Sequence, residues 1–145
     1  MAETRVIGIG SPFGADQLGW LALDVLRQRL PMQASVELLP CRFPAELPNL
    51  LTSCSRAILL DALQGGFTPG SLQRFALAEL PQSGLGVSSH GMDVAAALQL
   101  AKVLGSLPQR LIVLGIEVGK ENQPVNPVWI ERLVEEVLAE LSRSG

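Results

Sequence analysis

The sequence predicts a three-layer α/β domain, in which helices cover both faces of a mostly parallel sheet. Short apolar runs at residues 5–9, 36–39, 56–62 and 110–116 alternate with segments whose apolar residues recur at helical spacing. Such alternation is typical of βαβ units. Polar side chains follow several of these runs, at the edge where open sheets of this kind bind ligands.

Composition limits the classes of protein that this chain can represent. It has 145 residues, enough for a single domain spanning residues 1–145, and 48% of them are hydrophobic. The net charge is -3 and there is no basic run, so we expect no nucleic-acid partner. The N-terminal residues lack a signal-peptide pattern, and no apolar stretch reaches the roughly 20 residues that span a bilayer. We therefore expect a cytoplasmic protein without a membrane partner.

The first strand, residues 5–9, is apolar on both faces and is therefore predicted to be central. Gly8 and Gly10 follow it, but the run GIGSPFG departs from the dinucleotide-binding pattern GxGxxG, because the third glycine comes one place late and Pro12 interrupts the turn. A nucleotide- or small-molecule-binding module is thus one alternative, and a tight turn is the other. The first helix should begin at Ala15 or Asp16 and end before residue 31.

The second strand is predicted at residues 36–39, closed by Pro40, with Arg42 in the loop that follows. A short helix should occupy residues 44–53. Residues 56–62 form the clearest buried strand, and it carries one aspartate, Asp61. A buried carboxylate is costly unless it is paired or coordinates an ion. Gly65 and Gly66 lie in the next loop.

The second half of the chain continues the alternation. We predict a short strand at residues 72–76, irregular structure at 77–89, and a helix capped by Ser88 or Ser89 that ends at Gly105. A buried strand at residues 110–116 leads into Glu117, and a polar loop precedes the last helix at 127–142.

Asp16, Asp61 and His90 form a plausible metal-binding set, because carboxylate and neutral imidazole suit divalent ions such as zinc and nickel. Each also has a structural alternative. Asp16 could cap the first helix, Asp61 could accept hydrogen bonds from the Gly65–Gly66 loop, and His90, the single histidine, could be an exposed first-turn residue.

Four further residues follow strands at the same predicted edge and are candidates for substrate binding: Arg42, Gly65, Gly66 and Glu117. Taken alone, Arg42 is an ordinary surface arginine and Glu117 is best explained as a solvated side chain. The two cysteines, Cys41 and Cys54, match neither a disulfide framework nor a CxxC metal site, so we expect reduced thiols.

Three segments resemble the hydrogenase maturation proteases, endopeptidases that trim the large subunit of nickel-iron hydrogenases. They are GIGSPFGADQLG, AILLDALQGGFTPGSL and SSHGMDVAAALQLAKVLGSLPQRLIVLGIEVG, in that order. The resemblance implies a mixed, mostly parallel five-stranded sheet in an α/β/α, phosphorylase/hydrolase-like fold, with the antiparallel strand at residues 71–76. It also implies a monomer.

The same resemblance implies a catalytic and metal-binding set of Asp16, Asp61 and His90. These residues would contact nickel already present in the hydrogenase large-subunit precursor, and no organic cofactor would be needed. The enzyme would then remove a short C-terminal peptide from that precursor. Whether Asp16 or Asp61 is also a general base is open.

Two departures from the family pattern affect this prediction. The family usually has two adjacent acids in the first loop, and the first is replaced here by Ala15. The loop is also one residue shorter, so an ungapped alignment would place Gln17 at the ligand position, whereas the gapped alignment selects Asp16 and also places Gly19 correctly. A non-catalytic checkpoint protein that binds the precursor, and a self-contained zinc peptidase, are therefore further alternatives.

Overall fold

The computed structural model describes residues 3–31, 34–76, 94–119 and 124–143, and five strands within these ranges form one sheet. The strands are β1 Thr4–Ile9, β2 Val36–Cys41, β3 Arg56–Leu63, β4 Leu72–Ala76 and β5 Arg110–Glu117. Their spatial order is β2-β1-β3-β5-β4. All neighbours are parallel except β4, which pairs antiparallel with β5. The mixed, mostly parallel five-stranded sheet is therefore confirmed, including its antiparallel strand.

Helices cover both faces of the sheet, as predicted for a three-layer fold. They are α1 Leu18–Arg29, α2 Leu47–Leu51, α3 Val94–Val103 and α4 Pro127–Ser142. Alternate residues of β3 serve different faces: Ile58 and Leu60 pack with α1 and α4, whereas Ala57 and Leu59 pack with α2 and α3. Of the helices in the described ranges, none combines the length and apolar character that crossing a bilayer requires.

Several predicted element boundaries were wrong. β2 continues beyond Leu39 through Pro40 to Cys41. An edge strand tolerates proline because the missing N–H need not pair with a neighbour. β3 extends to Leu63 and β5 includes Glu117. Consequently Glu117 lies within its strand rather than beyond it, and Asp61 lies within β3 as predicted.

The first helix begins later than predicted. A 3-10 turn spans Gly14–Gln17, and α1 begins only at Leu18. Gly14 has a φ of 51°, which is incompatible with an α-helical start at that point. The last helix matches its prediction, and the Asn126 side chain caps it by accepting a hydrogen bond of 2.9 Å from the Val128 amide. The predicted segment 77–93, which includes His90, lies outside the described residues.

Candidate active site

Close backbone approach brings the end of β1 against the start of α1. A Cβ atom on Gly19 would lie 2.5 Å from the Ile9 carbonyl oxygen, and one on Gly8 would lie 2.5 Å from the Gly19 carbonyl oxygen. Only glycine fits at either position without moving the backbone. The glycines of this segment therefore have a packing role, and α1 starts directly beside the carboxyl end of β1.

The loop after β1 uses its own amides internally. The Gly10 amide donates to the Cys41 carbonyl at 2.9 Å, and the Ser11 amide donates to the Asp16 carbonyl at 3.1 Å. A phosphate-binding loop needs amides that point at the ligand. Because these two already have protein partners, the geometry argues against a nucleotide site built on this loop.

The 3-10 turn holds Asp16 at the carboxyl edge of the sheet. Its amide donates to the Phe13 carbonyl at 3.0 Å, and its Oδ2 accepts a hydrogen bond of 3.2 Å from the Ser11 hydroxyl. Asp16 does not cap α1: that position is Gln17, whose side chain makes no capping bond. The alternative that treated Asp16 as a helix cap was therefore wrong. The Gln17 side-chain amide turns back to the Gly14 carbonyl at 3.2 Å.

Asp61 is a buried carboxylate, with 3% of its surface exposed. Its Oδ1 accepts a hydrogen bond of 2.8 Å from the Ala62 amide. Burial raises the pKa of Asp61 well above the usual range, and the negative charge of Asp16 raises this pKa further, although the Ala62 bond opposes the change. The charges of Asp16 and Asp61 therefore interact, while their meeting with His90 in one site stays a prediction.

Strand alternation determines which face of the sheet Asp61 occupies. It has the same parity as Ala57 and Leu59, which pack in one cluster with Val94 and Ala97 of α3. Asp61 therefore lies on the face that α3 covers. His90 precedes Val94 by four residues and belongs to the segment that leads into this helix. Its own position lies outside the described residues, so the third predicted ligand stays a prediction.

Within the described ranges, no group of three histidine, cysteine, aspartate or glutamate side chains is placed to hold a metal ion. Cys41 lies at the same edge but is a free, buried thiol. Burial, assisted by the negative charges of Glu46 and Asp61, raises the pKa of Cys41 to about 12. A thiol with such a pKa is neutral at physiological pH and is a poor nucleophile.

Glu117 organises the loop after β3. Only 2% of its surface is exposed, and its Oε1 accepts hydrogen bonds from the amides of Gly65 at 2.9 Å and Phe67 at 3.2 Å. Its Oε2 accepts from the Gly119 amide at 3.0 Å. Two expectations were therefore wrong: Glu117 is not solvated, and the Gly65 amide donates to Glu117 rather than to Asp61. Sequence reasoning missed this role because donor and acceptor are 52 positions apart.

The loop after β2 presents Arg42 and Phe43. Both are exposed, and the Arg42 guanidinium carbon lies 5.5 Å from the centre of the Phe43 ring. The Glu46 carboxylate fixes the loop by accepting hydrogen bonds from the amides of Arg42 at 3.1 Å and Phe43 at 2.9 Å. Arg42 is thus a surface arginine on the same edge of the sheet as Asp61, as predicted.

Three exposed phenylalanines surround this edge. Phe13, Phe43 and Phe67 follow β1, β2 and β3 respectively, and 68%, 55% and 39% of their surfaces are exposed. Aromatic side chains usually bury most of their surface, so an exposed set in adjacent loops is typical of a binding surface. Gly65 and Gly66 are exposed in the same loop as Phe67.

Comparison with known proteins agrees with this geometry. The profile of the hydrogenase maturation protease family matches residues 43–142. The hydrogenase expression/formation protein HupD of Thiocapsa roseopersicina is 29% identical over an alignment of 120 residues that covers 79% of this chain. The chain spans about half the length of that relative, 54%.

Solved structures share the fold. An endopeptidase from Escherichia coli is 25% identical with a TM-score of 0.85, and the alignment covers 99% of this chain and 94% of the other. The hydrogenase maturating endopeptidase HybD from E. coli is 24% identical with a TM-score of 0.80, at the same coverage. Since the family profile matches more than half of the sequence, this chain belongs to the hydrogenase maturation protease family.

Proposed function

We propose that this protein is an endopeptidase that removes a C-terminal peptide from the nickel-loaded large-subunit precursor of a nickel-iron hydrogenase. The observation that supports the proposal is the interaction between the charges of Asp16 and Asp61 at the carboxyl edge of the sheet, in a chain that belongs to this family. Oxygen ligands from two elements and an imidazole from a third would complete a three-ligand set.

Nickel enters this reaction as part of the substrate. Asp16, Asp61 and His90 would contact it from the protease side, and a metal in that position polarises a carbonyl group or activates a water molecule. Cleavage would be limited to loaded precursor, because the protease gains affinity only when the ion is present. Ser11 keeps the Asp16 carboxylate oriented through its 3.2 Å hydrogen bond, and the Ala62 amide does the same for Asp61.

The exposed phenylalanines support a protein substrate. Phe13, Phe43 and Phe67, here called the aromatic rim, are exposed in the loops that follow β1, β2 and β3, and Arg42 lies over the Phe43 ring. We infer that this rim contacts the precursor near its cleavage site, where Arg42, Gly65 and Gly66 are also accessible. The carboxylate of Glu117 is already occupied by three amides, so its contribution is to position the Gly65–Phe67 loop.

Ala15, which replaces the usual first acid, supports the non-catalytic checkpoint alternative less than the sequence alone suggested. Ala15 is 4% exposed and packs in the core cluster on the α1 and α4 side of the sheet. Asp61 lies on the opposite face. An acidic side chain at position 15 would therefore lie on the other face of the sheet from the Asp61 carboxylate. The lack of an acid at position 15 leaves the proposed ligands Asp16, Asp61 and His90 unchanged.

The decisive experiment is the intact mass of a nickel-loaded hydrogenase precursor before and after incubation with this protein. We expect a discrete C-terminal loss that requires nickel and is abolished by Asp16→Ala, Asp61→Ala and His90→Ala. Asp24→Ala is the matched control, because Asp24 is exposed on α1 and pairs only with Arg27 in the described contacts. Binding without a change of mass would instead identify a checkpoint protein, and cleavage of nickel-free precursor would contradict the proposed role of the ion.

The aromatic rim has its own test. Phe13→Ser and Phe43→Ser should raise KM for the precursor by about tenfold each, as expected for loss of a well-packed contact residue. The rate at saturating precursor should change little, because neither side chain is a proposed metal ligand. Unchanged KM in both variants would remove the rim from the substrate-binding surface.

A further inference from the structure

A cavity lies at the amino-terminal edge of the sheet, at the opposite end of β3 from Asp61. Its volume is about 400 Å³, and it is bounded by the starts of β3 and β5, the end of β4 and the last turns of α4. This volume falls within the range of small-molecule sites. Its charged lining consists of Arg56, Arg74, Arg110 and Glu140, and several of the other lining residues are apolar.

Arg56 has an unpartnered donor in this cavity. The side chain is 8% exposed, and its Nε donates to the Thr4 hydroxyl at 3.2 Å. Its Nη1 is buried and has no hydrogen-bond partner among the described residues. A buried guanidinium nitrogen without an acceptor is unfavourable, and each such group requires an explanation.

A second arginine lies directly beside it. Arg56 and Arg110 are register partners in the parallel pair β3 and β5, so their side chains leave the same face of the sheet. Like charges at paired positions are destabilising. Burial and the charge of Arg110 both lower the pKa of Arg56, while Glu140 has the opposite effect.

Glu140 compensates this pair only in part, because its carboxylate is hydrogen-bonded to other arginines. Its Oε1 accepts hydrogen bonds from Arg74 at 3.2 Å and from Arg143 at 2.7 Å. The lining thus contains three arginines and one glutamate, and that glutamate is shared with an arginine outside the lining. Among the described lining residues, positive charge is therefore in excess around Arg56 and Arg110.

We propose that this cavity binds a small organic oxyanion, a carboxylate or a phosphate ester. Its charged group would accept hydrogen bonds from Arg56 Nη1 and from Arg110, and its apolar part would contact Ile112. Guanidinium groups match both kinds of oxyanion, and hydrogen bonds between ions are the strong ones. The site is separate from Asp16 and Asp61, so its ligand need not be related to the cleaved substrate.

The first test compares inorganic phosphate and acetate with chloride at equal ionic strength. We expect at least one oxyanion to raise the melting temperature and to shift the backbone amide resonances of residues 56–58 and 110–112, while those of residues 14–17 stay unchanged. A response to phosphate alone would identify a phosphate ester, and a response to acetate alone would identify a carboxylate. If neither anion exceeds chloride, or if only residues 14–17 respond, the proposal is wrong.

Variants then locate the binding groups. Arg110 is exposed, so Arg110→Gln should fold normally and weaken oxyanion binding about tenfold or more, the effect of losing one charged hydrogen bond. Arg56→Met should abolish binding and, in chloride, should cost no stability. The matched control is Arg27→Gln on α1, outside the cavity, which should bind as the wild type does. Equal affinities for the wild type and Arg110→Gln would overturn the assignment.

Discussion

Replacing Asp61 with asparagine separates the cost of burying this carboxylate from its role in the proposed reaction. The wild-type side chain is 3% exposed, and burial raises its pKa. Asparagine has nearly the same shape, and its carbonyl oxygen can still accept the 2.8 Å hydrogen bond from the Ala62 amide. The substitution therefore removes the charge and little else.

The magnitude follows from the location of the charge. An ionised carboxylate at a buried site costs several kcal/mol after relaxation, and the hydrogen bond to Ala62 recovers part of that cost. We expect Asp61→Asn to raise the free energy of unfolding at pH 7 by about 1–3 kcal/mol. Each kcal/mol corresponds to a rise in melting temperature of roughly 2–4 °C. The same variant should fail to process precursor.

The dependence on pH has a defined sign. An unfolded aspartate titrates near pH ~3.9, and folded Asp61 titrates at higher pH, so the folded state binds more protons between the two values. The wild type should therefore lose stability relative to Asp61→Asn as the pH rises through this window, by at most about 1.4 kcal/mol per pH unit. Below the unfolded pKa the difference should vanish.

Urea unfolding of the isolated protein in the presence of a chelator measures this difference, with the fluorescence of Trp20 and Trp129 as the signal. The control is Asp24→Asn, because Asp24 is exposed and forms an ion pair with Arg27. The free energy of unfolding of this variant should depend on pH as that of the wild type does. The reasoning would be refuted if the free energy of unfolding of Asp61→Asn and of the wild type depended on pH in the same way. It would also be refuted if Asp61→Asn were less stable than the wild type at pH 7.

Three further predictions concern stability. Glu117→Ala should lower the free energy of unfolding by about 2–4 kcal/mol, because three amides lose a charged acceptor and water replaces it only in part; Glu117→Gln should lose less. Gly19→Ala should cost about 2 kcal/mol or more, because its Cβ would meet the Ile9 carbonyl oxygen at 2.5 Å. Ala15→Asp, which restores the acid usual in the family, should cost about 3 kcal/mol or more, because this position is buried in an apolar core cluster.

Each of these predictions has a matched comparison, measured by urea unfolding. Gly105→Ala carries only the penalty of a φ of 72°, about 1 kcal/mol, because nothing lies within 4 Å of its Cβ. Ala45→Asp is exposed and should be nearly neutral. An Ala15→Asp variant as stable as Ala45→Asp would show that position 15 is not part of the core.

The sequence alone determined the order and type of the elements, because periodicity and turn residues are local properties. It predicted α4 to the residue and, through family resemblance, the antiparallel strand, whereas the site of Asp16, Asp61 and His90 stays a prediction. Asp16 follows β1 and Asp61 lies near the end of β3, and the carboxyl ends of these neighbouring parallel strands share an edge.

Only the tertiary structure decided the roles that depend on distant partners. From the sequence, Glu117 was interpreted as a solvated residue, but β5 places it beside the loop after β3. Gly19 has the sequence context of an ordinary helix residue, but the packing of α1 on β1 requires glycine there. The cavity around Arg56 likewise depends on a register that pairs it with Arg110. A one-residue change of register would move each side chain to the other face of the sheet, and that register is set by the packing of the whole domain.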